Sequence, residues 1–127
     1  LILEDYVTFT DDADVIEYFT HGQCNALAWE IHKLTGWTIA LVSDLPAGSE
    51  DYMGHAFVID SDGFAIDIEG KRPLDEIREQ WDFLPCIHRF FTLHEYEVEM
   101  VPWDNDIHYT KDKEAKLWAK LIVDMLK

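Results

Sequence analysis

Three side chains of the 127-residue chain have the types and spacing that covalent acyl-transfer chemistry requires. Cys24 follows His21-Gly22-Gln23 and opens the strongest apolar-periodic segment of the sequence. A thiol in the first turn of a helix feels the positive end of the helix dipole and unpaired backbone N–H groups, and both favour thiolate. His55 begins an extended stretch, and Asp67 lies on the stretch that returns beside it. A nucleophile at a helix start, a base on one strand and an orienting carboxylate on its neighbour meet the needs of attack at a carbonyl. Taken singly, each residue has a plainer reading. A Cys on an apolar stripe is usually a small buried hydrophobe, and His and Asp near a hairpin are common capping or pairing residues. The combination is what points to chemistry.

The hairpin between His55 and Asp67 supplies a geometric condition that residue type alone does not. Strand side chains alternate faces, so the two meet only in the right register. A two-residue loop at Asp62-Gly63 would pair Ser61 with Phe64 and send His55 and Asp67 to opposite faces. A three-residue loop, Ser61-Asp62-Gly63, pairs Asp60 with Phe64 and sets Asp67 opposite Phe57. His55 then becomes the diagonal neighbour of Asp67 on one face, roughly 7–8 Å away between backbones and within side-chain reach. That loop is a type I turn closed by a left-handed residue, and Gly63 stands at the position that needs one.

The remaining elements follow from periodicity and punctuation. Leu1 to Thr10 alternates weakly, as an extended segment would. Thr10, Asp11 and Asp12 suit the start of a short helix with Val15, Ile16 and Phe19 on one face, broken at His21-Gly22. The helix opened by Cys24 carries Leu27, Ala28, Ile31 and Leu34 on one stripe and stops at Gly36. Trp37 to Val42 reads as a buried strand, and Leu45 to Asp51 as a loop. Pro73 at the first helical position, with Leu74, Ile77 and Trp81 on one face, opens a short helix. Ile87 to Thr92 and Glu95 to Val101 are further strands, the second with one wet face. A last helix from about Thr110 to Leu126 is expected to bury Leu117, Trp118, Leu121, Ile122 and Met125. Helices, then strands, then a helix give an α+β fold on an antiparallel sheet, formed by residues 1–127 as a single domain.

The ordered set Gly22-Gln23-Cys24, Gly54-His55-Ala56-Phe57-Val58 and Gly63-Phe64-Ala65-Ile66-Asp67 resembles the papain-like and transglutaminase-like cysteine enzyme superfamily. The likeness runs from Gly22 to Gly70. The transglutaminase-like branch often has Trp where Phe57 and Phe64 stand. The resemblance implies N-terminal helices with the nucleophile at a helix start, packed on an antiparallel sheet, and a C-terminal helix. It implies thiol-dependent chemistry on an amide: proteolysis, deamidation or transamidation, through a thioester acyl-enzyme and with no cofactor or metal. Carried over, Cys24 is the nucleophile, His55 the base and Asp67 the orienting group, with Gly22 and Gln23 on the oxyanion and substrate side. The papain branch has its oxyanion-hole Gln several residues before the Cys, whereas Gln23 is adjacent, so the backbone N–H of Cys24 is the better donor. The small size resembles compact bacterial-toxin or phage-encoded members.

Composition narrows the partners. Asp and Glu number 26 against 10 Lys and Arg, a formal net charge of -16, with 48% hydrophobic residues and five Trp. The apolar and aromatic content excludes an intrinsically disordered chain. Phosphate backbones and anionic lipid would repel so acidic a protein, so nucleic acid and membrane are not expected partners. A protein or peptide amide is the expected substrate, and a basic protein fits the charge. The alternative is a non-catalytic acidic binding or inhibitor protein, an anti-defence protein or nucleic-acid mimic on the same fold. Two cysteines, Cys24 and Cys86, make no disulfide framework, and with no apparent targeting or membrane-spanning segment a cytoplasmic setting is expected. Asp60-Ser61-Asp62-Gly63 opens like a calcium loop, but Lys71 stands where the bidentate Glu is needed. Asp104, Asp106 and His108, or His88 and His94, read as solvated surface rather than metal ligands. Cys86 reads as a buried side chain outside any motif.

Overall fold

The computed structural model describes residues 8–21, 24–43, 54–81, 86–90 and 113–126. In chain order these form α1 (Ala13–His21), α2 (Cys24–Thr35), β1 (Thr38–Ser43), β2 (Gly54–Ile59), β3 (Phe64–Asp67), β4 (Gly70–Pro73), α3 (Leu74–Gln80), β5 (Cys86–Phe90) and α4 (Lys113–Met125). The strands make one antiparallel sheet in the order β4-β3-β2-β1-β5. The fold is α+β. The Leu45–Asp51 loop, the Glu95–Val101 strand and most of the Leu1–Thr10 segment lie outside the described residues.

Both faces of the sheet are covered, which is why β1 reads as an unbroken apolar run rather than an alternation. Ile39, Leu41, Ala56, Val58 and Ile66 face α2, which packs between α1, α4 and the sheet. Ala40, Val42, Phe57, Ile59 and Ala65 face the other way, against Ile77 of α3. α1 begins where Asp12 Oδ1 accepts the N–H groups of Asp14 and Val15, the N-cap role its position suggested. α2 ends at Gly36, whose φ of +77° and N–H bond to His32 O close the last turn.

Three expectations need correction, and one strand goes beyond them. Leu34, placed on the buried stripe of α2, is 55% exposed, one turn beyond the packed segment Ala26–Ile31. In α4 the buried face is Ala115, Ala119 and Ile122, with Trp118 half-buried, while Leu117, Leu121 and Met125 are exposed. Small alanines let α4 lie close on α2, so the tight contact runs along them and not along the larger side chains. Pro73 is the N-cap of α3 rather than its first helical residue, because it still pairs with Phe64 as the last residue of β4. β4 itself was not anticipated. Its Gly-Lys-Arg-Pro sequence has no apolar alternation, and its place at the sheet edge tolerates the proline.

Candidate active site

The turn after β2 fixes the register. Gly63 has φ +88° and donates to Asp60 O at 3.1 Å, and Asp60 N–H donates to Phe64 O at 2.9 Å. The loop is therefore Ser61-Asp62-Gly63, and the ladder pairs Val58 with Ile66 and Ile59 with Ala65. Asp60 Oδ1 accepts the N–H groups of Asp62 and Phe64, and Oδ2 lies 3.4 Å from Lys71 Nζ. This carboxylate is occupied in holding the turn. Continued by one residue, the register sets Asp67 opposite Phe57 and diagonal to His55 on one face.

On that face His55 Nε2 and Asp67 Oδ2 are 2.8 Å apart, both side chains buried. The imidazole is stacked on Trp81 at a centroid distance of 4.9 Å and on Phe57 at 6.1 Å. Nδ1 makes no hydrogen bond of good geometry, yet Cys24 is close enough that thiol and imidazole shift each other's titration. Cys24 is half-buried and approaches from the opposite side, from the start of α2. Its Sγ accepts the N–H of Ala56 at 3.4 Å.

The charges of the three groups are coupled. Burial disfavours imidazolium, but the hydrogen bonds and negative charges of Asp67 and Cys24 outweigh it and raise the His55 pKa from 6.5 to about 10. Burial likewise works against a Cys24 thiolate, and contact with His55 together with the N–H groups of Ala56 and Asn25 holds the thiol below its usual 9.0. For Asp67, burial is outweighed by His55, by the Arg72 charge and by the Glu69 N–H, which keep its carboxyl below 3.8. The two shifts run in opposite directions, each favouring a thiolate beside an imidazolium over the neutral pair. The chemistry within its reach is nucleophilic attack by sulfur with proton transfer through the ring.

Of the residues singled out in the sequence, Cys24, His55 and Asp67 come together. Gly22 and Gln23 lie outside the described residues, as do His94, Asp104, Asp106 and His108, and the side chains of Cys86 and His88 are not described either. Among the described residues no group of three His, Cys, Asp or Glu side chains could hold a metal ion. Arg72 and Trp81 were missed as neighbours of the site. Arg72 Nη2 donates to Asp67 Oδ2 at 3.0 Å. Pairing of Asp67 with Gly70 and of Ala65 with Arg72 puts Arg72 on the same face as Asp67, so recognising β4 would have located it. Comparison with known proteins brings no relative to set beside this geometry: no protein family, curated protein or solved structure matches the chain.

Proposed function

We propose that the chain is a thiol-dependent amide hydrolase or acyltransferase of the papain-like or transglutaminase-like kind. The observation that carries this reading is the buried His55–Asp67 hydrogen bond at 2.8 Å, with the ring coupled on its other side to a thiol at a helix start. The Cys24 thiolate attacks the carbonyl carbon of a peptide or side-chain amide, forming the C–S bond and pushing the carbonyl electrons onto oxygen. Backbone N–H groups at the start of α2 stabilise that oxyanion. The oxyanion collapses, the C–N bond breaks, and the imidazolium of His55 gives its proton to the leaving amine. A thioester remains on Cys24. Water or a second amine then attacks it, His55 takes the proton, and the thiolate departs. Asp67 holds the ring in one tautomer and stabilises its charged form throughout.

The formal charge of -16 favours a cationic protein as the substrate or partner, in an intracellular setting that suits two cysteines. A non-catalytic acidic binder on the same fold is the competing reading, favoured by that charge alone. Alkylation separates them. Iodoacetamide near pH 7 is expected to modify Cys24 faster than Cys86, read by peptide mass spectrometry. Equal, slow modification of both would remove the support for an enzyme.

A further inference from the structure

Asp67 has two cationic neighbours, and the proposed reaction uses only one. His55 Nε2 and Arg72 Nη2 both reach its Oδ2, at 2.8 and 3.0 Å, while the Glu69 N–H donates to Oδ1 at 2.9 Å. Arg72 is itself held in place. Its Nη1 donates to Gln80 Oε1 at 2.8 Å and its Nη2 to Glu69 Oε2 at 3.3 Å. Gln80 Nε2 closes the circuit on the same Glu69 oxygen at 2.7 Å. Side chains from β4, from the β3–β4 turn and from the last residue of α3 thus form a ring of hydrogen bonds. Its one inward arm ends on Asp67.

A guanidinium is planar and its donors form a rigid fork, so fastening both ends of the fork fixes the direction in which Nη2 meets Asp67. We propose that Arg72 is the positioning residue of this site: locked by Glu69 and Gln80, it fixes the Asp67 carboxylate in its ionised form against His55. The inference rests on reading Cys24, His55 and Asp67 as one reacting unit. The charged groups brought to Asp67 are His55 from β2 and Arg72 from β4; the turn gives it the Glu69 backbone N–H while the Glu69 carboxylate lies on Arg72, and α3 presents neutral Gln80 to the same guanidinium. A carboxylate that lost its guanidinium could rotate away from the ring and would be easier to protonate. Either change weakens the imidazolium's support of the thiolate on the acid side of the pH range.

The test is the pH dependence of iodoacetamide alkylation of Cys24 in the full chain, with thermal unfolding followed in parallel. Arg72→Met is expected to move the acid-side inflection up by about half a pH unit, less than a guanidinium shifts a carboxylate it touches, because the effect reaches sulfur only through Asp67 and His55. Labelling on that flank would then be about threefold slower. Arg72→Lys keeps the charge without the fork and is expected to move the inflection part of the way. Gln80→Leu opens the ring at an exposed position and should shift it in the same direction by less. An Arg72 that matters only to folding would lower the melting temperature and leave the inflection where it was, which overturns the proposal. Arg72→Lys coinciding with wild type would overturn the role of the fork. If Arg72→Met does not fold, the Lys and Gln80→Leu variants decide. Failure of the catalytic reading looks different: the wild-type Cys24 would itself titrate like a free cysteine.

Discussion

The thiol of Cys24 accepts the N–H of Ala56 at 3.4 Å, and this bond ties the start of α2 to β2. Even-numbered residues of β2 direct their N–H groups toward β3, as Asp60 does when it donates to Phe64 O. At Ala56 the opposing residue in that register is Ile68, where β3 has already ended in a turn. Sulfur takes the acceptor position that the strand no longer supplies. Cys24 comes from the helix side of the sheet and His55 points to the α3 side, so they meet only beyond the end of β3. The length of β3 therefore bears directly on the candidate chemistry.

Gly63 makes that geometry testable without any substrate. Its φ of +88° is strained for a residue with a Cβ, although an added Cβ would meet nothing within 4 Å. Gly63→Ala is expected to cost about 1–2 kcal/mol, and Gly63→Asn less, because Asn tolerates the left-handed region. Urea denaturation measures both. Equal stability for all three would mean the three-residue loop does not need this conformation.

Much of this was legible in the sequence, and the reasons are local. Asp60-Ser61-Asp62-Gly63 carries its own turn chemistry, so the register that brings His55 to Asp67 could be worked out from residue types. The starts of α1 and α2 were likewise marked by short-range signals. Arg72 was not legible, because β4 exists through pairing with β3 and has no periodicity of its own. Nor was the α4 face: several apolar rotations were available on the helix, and the choice was made by the close approach of α2.

A core prediction separates the packed part of α2 from its end. Leu27 is 2% exposed and Leu34 is 55% exposed, though both belong to one apolar stripe. Leu27→Ala is expected to cost about 2–5 kcal/mol through lost burial and a residual cavity. Leu34→Ala should stay within about 0.5 kcal/mol, as surface substitutions do. Chemical denaturation of the two variants checks the contrast, and comparable losses would put Leu34 in a contact the fold does not show.

Stability should depend on pH through the His55–Asp67 pair. The His55 pKa is raised from 6.5 to about 10, so its contribution is complete below pH 6.5 and is lost as the pH rises through about 10. Asp67 is shifted down from 3.8, so its contribution is present above that value and is lost as the pH falls through the lower folded value. Cys24, lowered from 9.0, contributes above that value and loses its share as the pH falls. Asp67→Asn removes the Asp67 contribution and the part of the His55 contribution that Asp67 supplies. Its deficit against wild type, about 3 kcal/mol for a broken buried pair, should be largest between about pH 4 and 6.5 and shrink on either side. Urea unfolding across that range tests it, and a deficit independent of pH would contradict the coupling.

The mechanism makes the last prediction. Cys24→Ala removes the nucleophile and is expected to abolish amide turnover with the fold intact by circular dichroism. His55→Ala should abolish it too, and in addition should slow alkylation of Cys24 near pH 7. A cysteine without the imidazolium is only a few per cent thiolate there, so the rate should fall by on the order of tenfold or more. The two losses should not add in the double variant, because a missing base has nothing to activate once sulfur is gone. Asp67→Asn is expected to be milder if the amide still orients the ring, and Cys86→Ala nearly silent. Full turnover in Cys24→Ala would refute covalent catalysis and leave the acidic binder as the better reading. Additive losses would mean that Cys24 and His55, despite their coupling, act in separate steps.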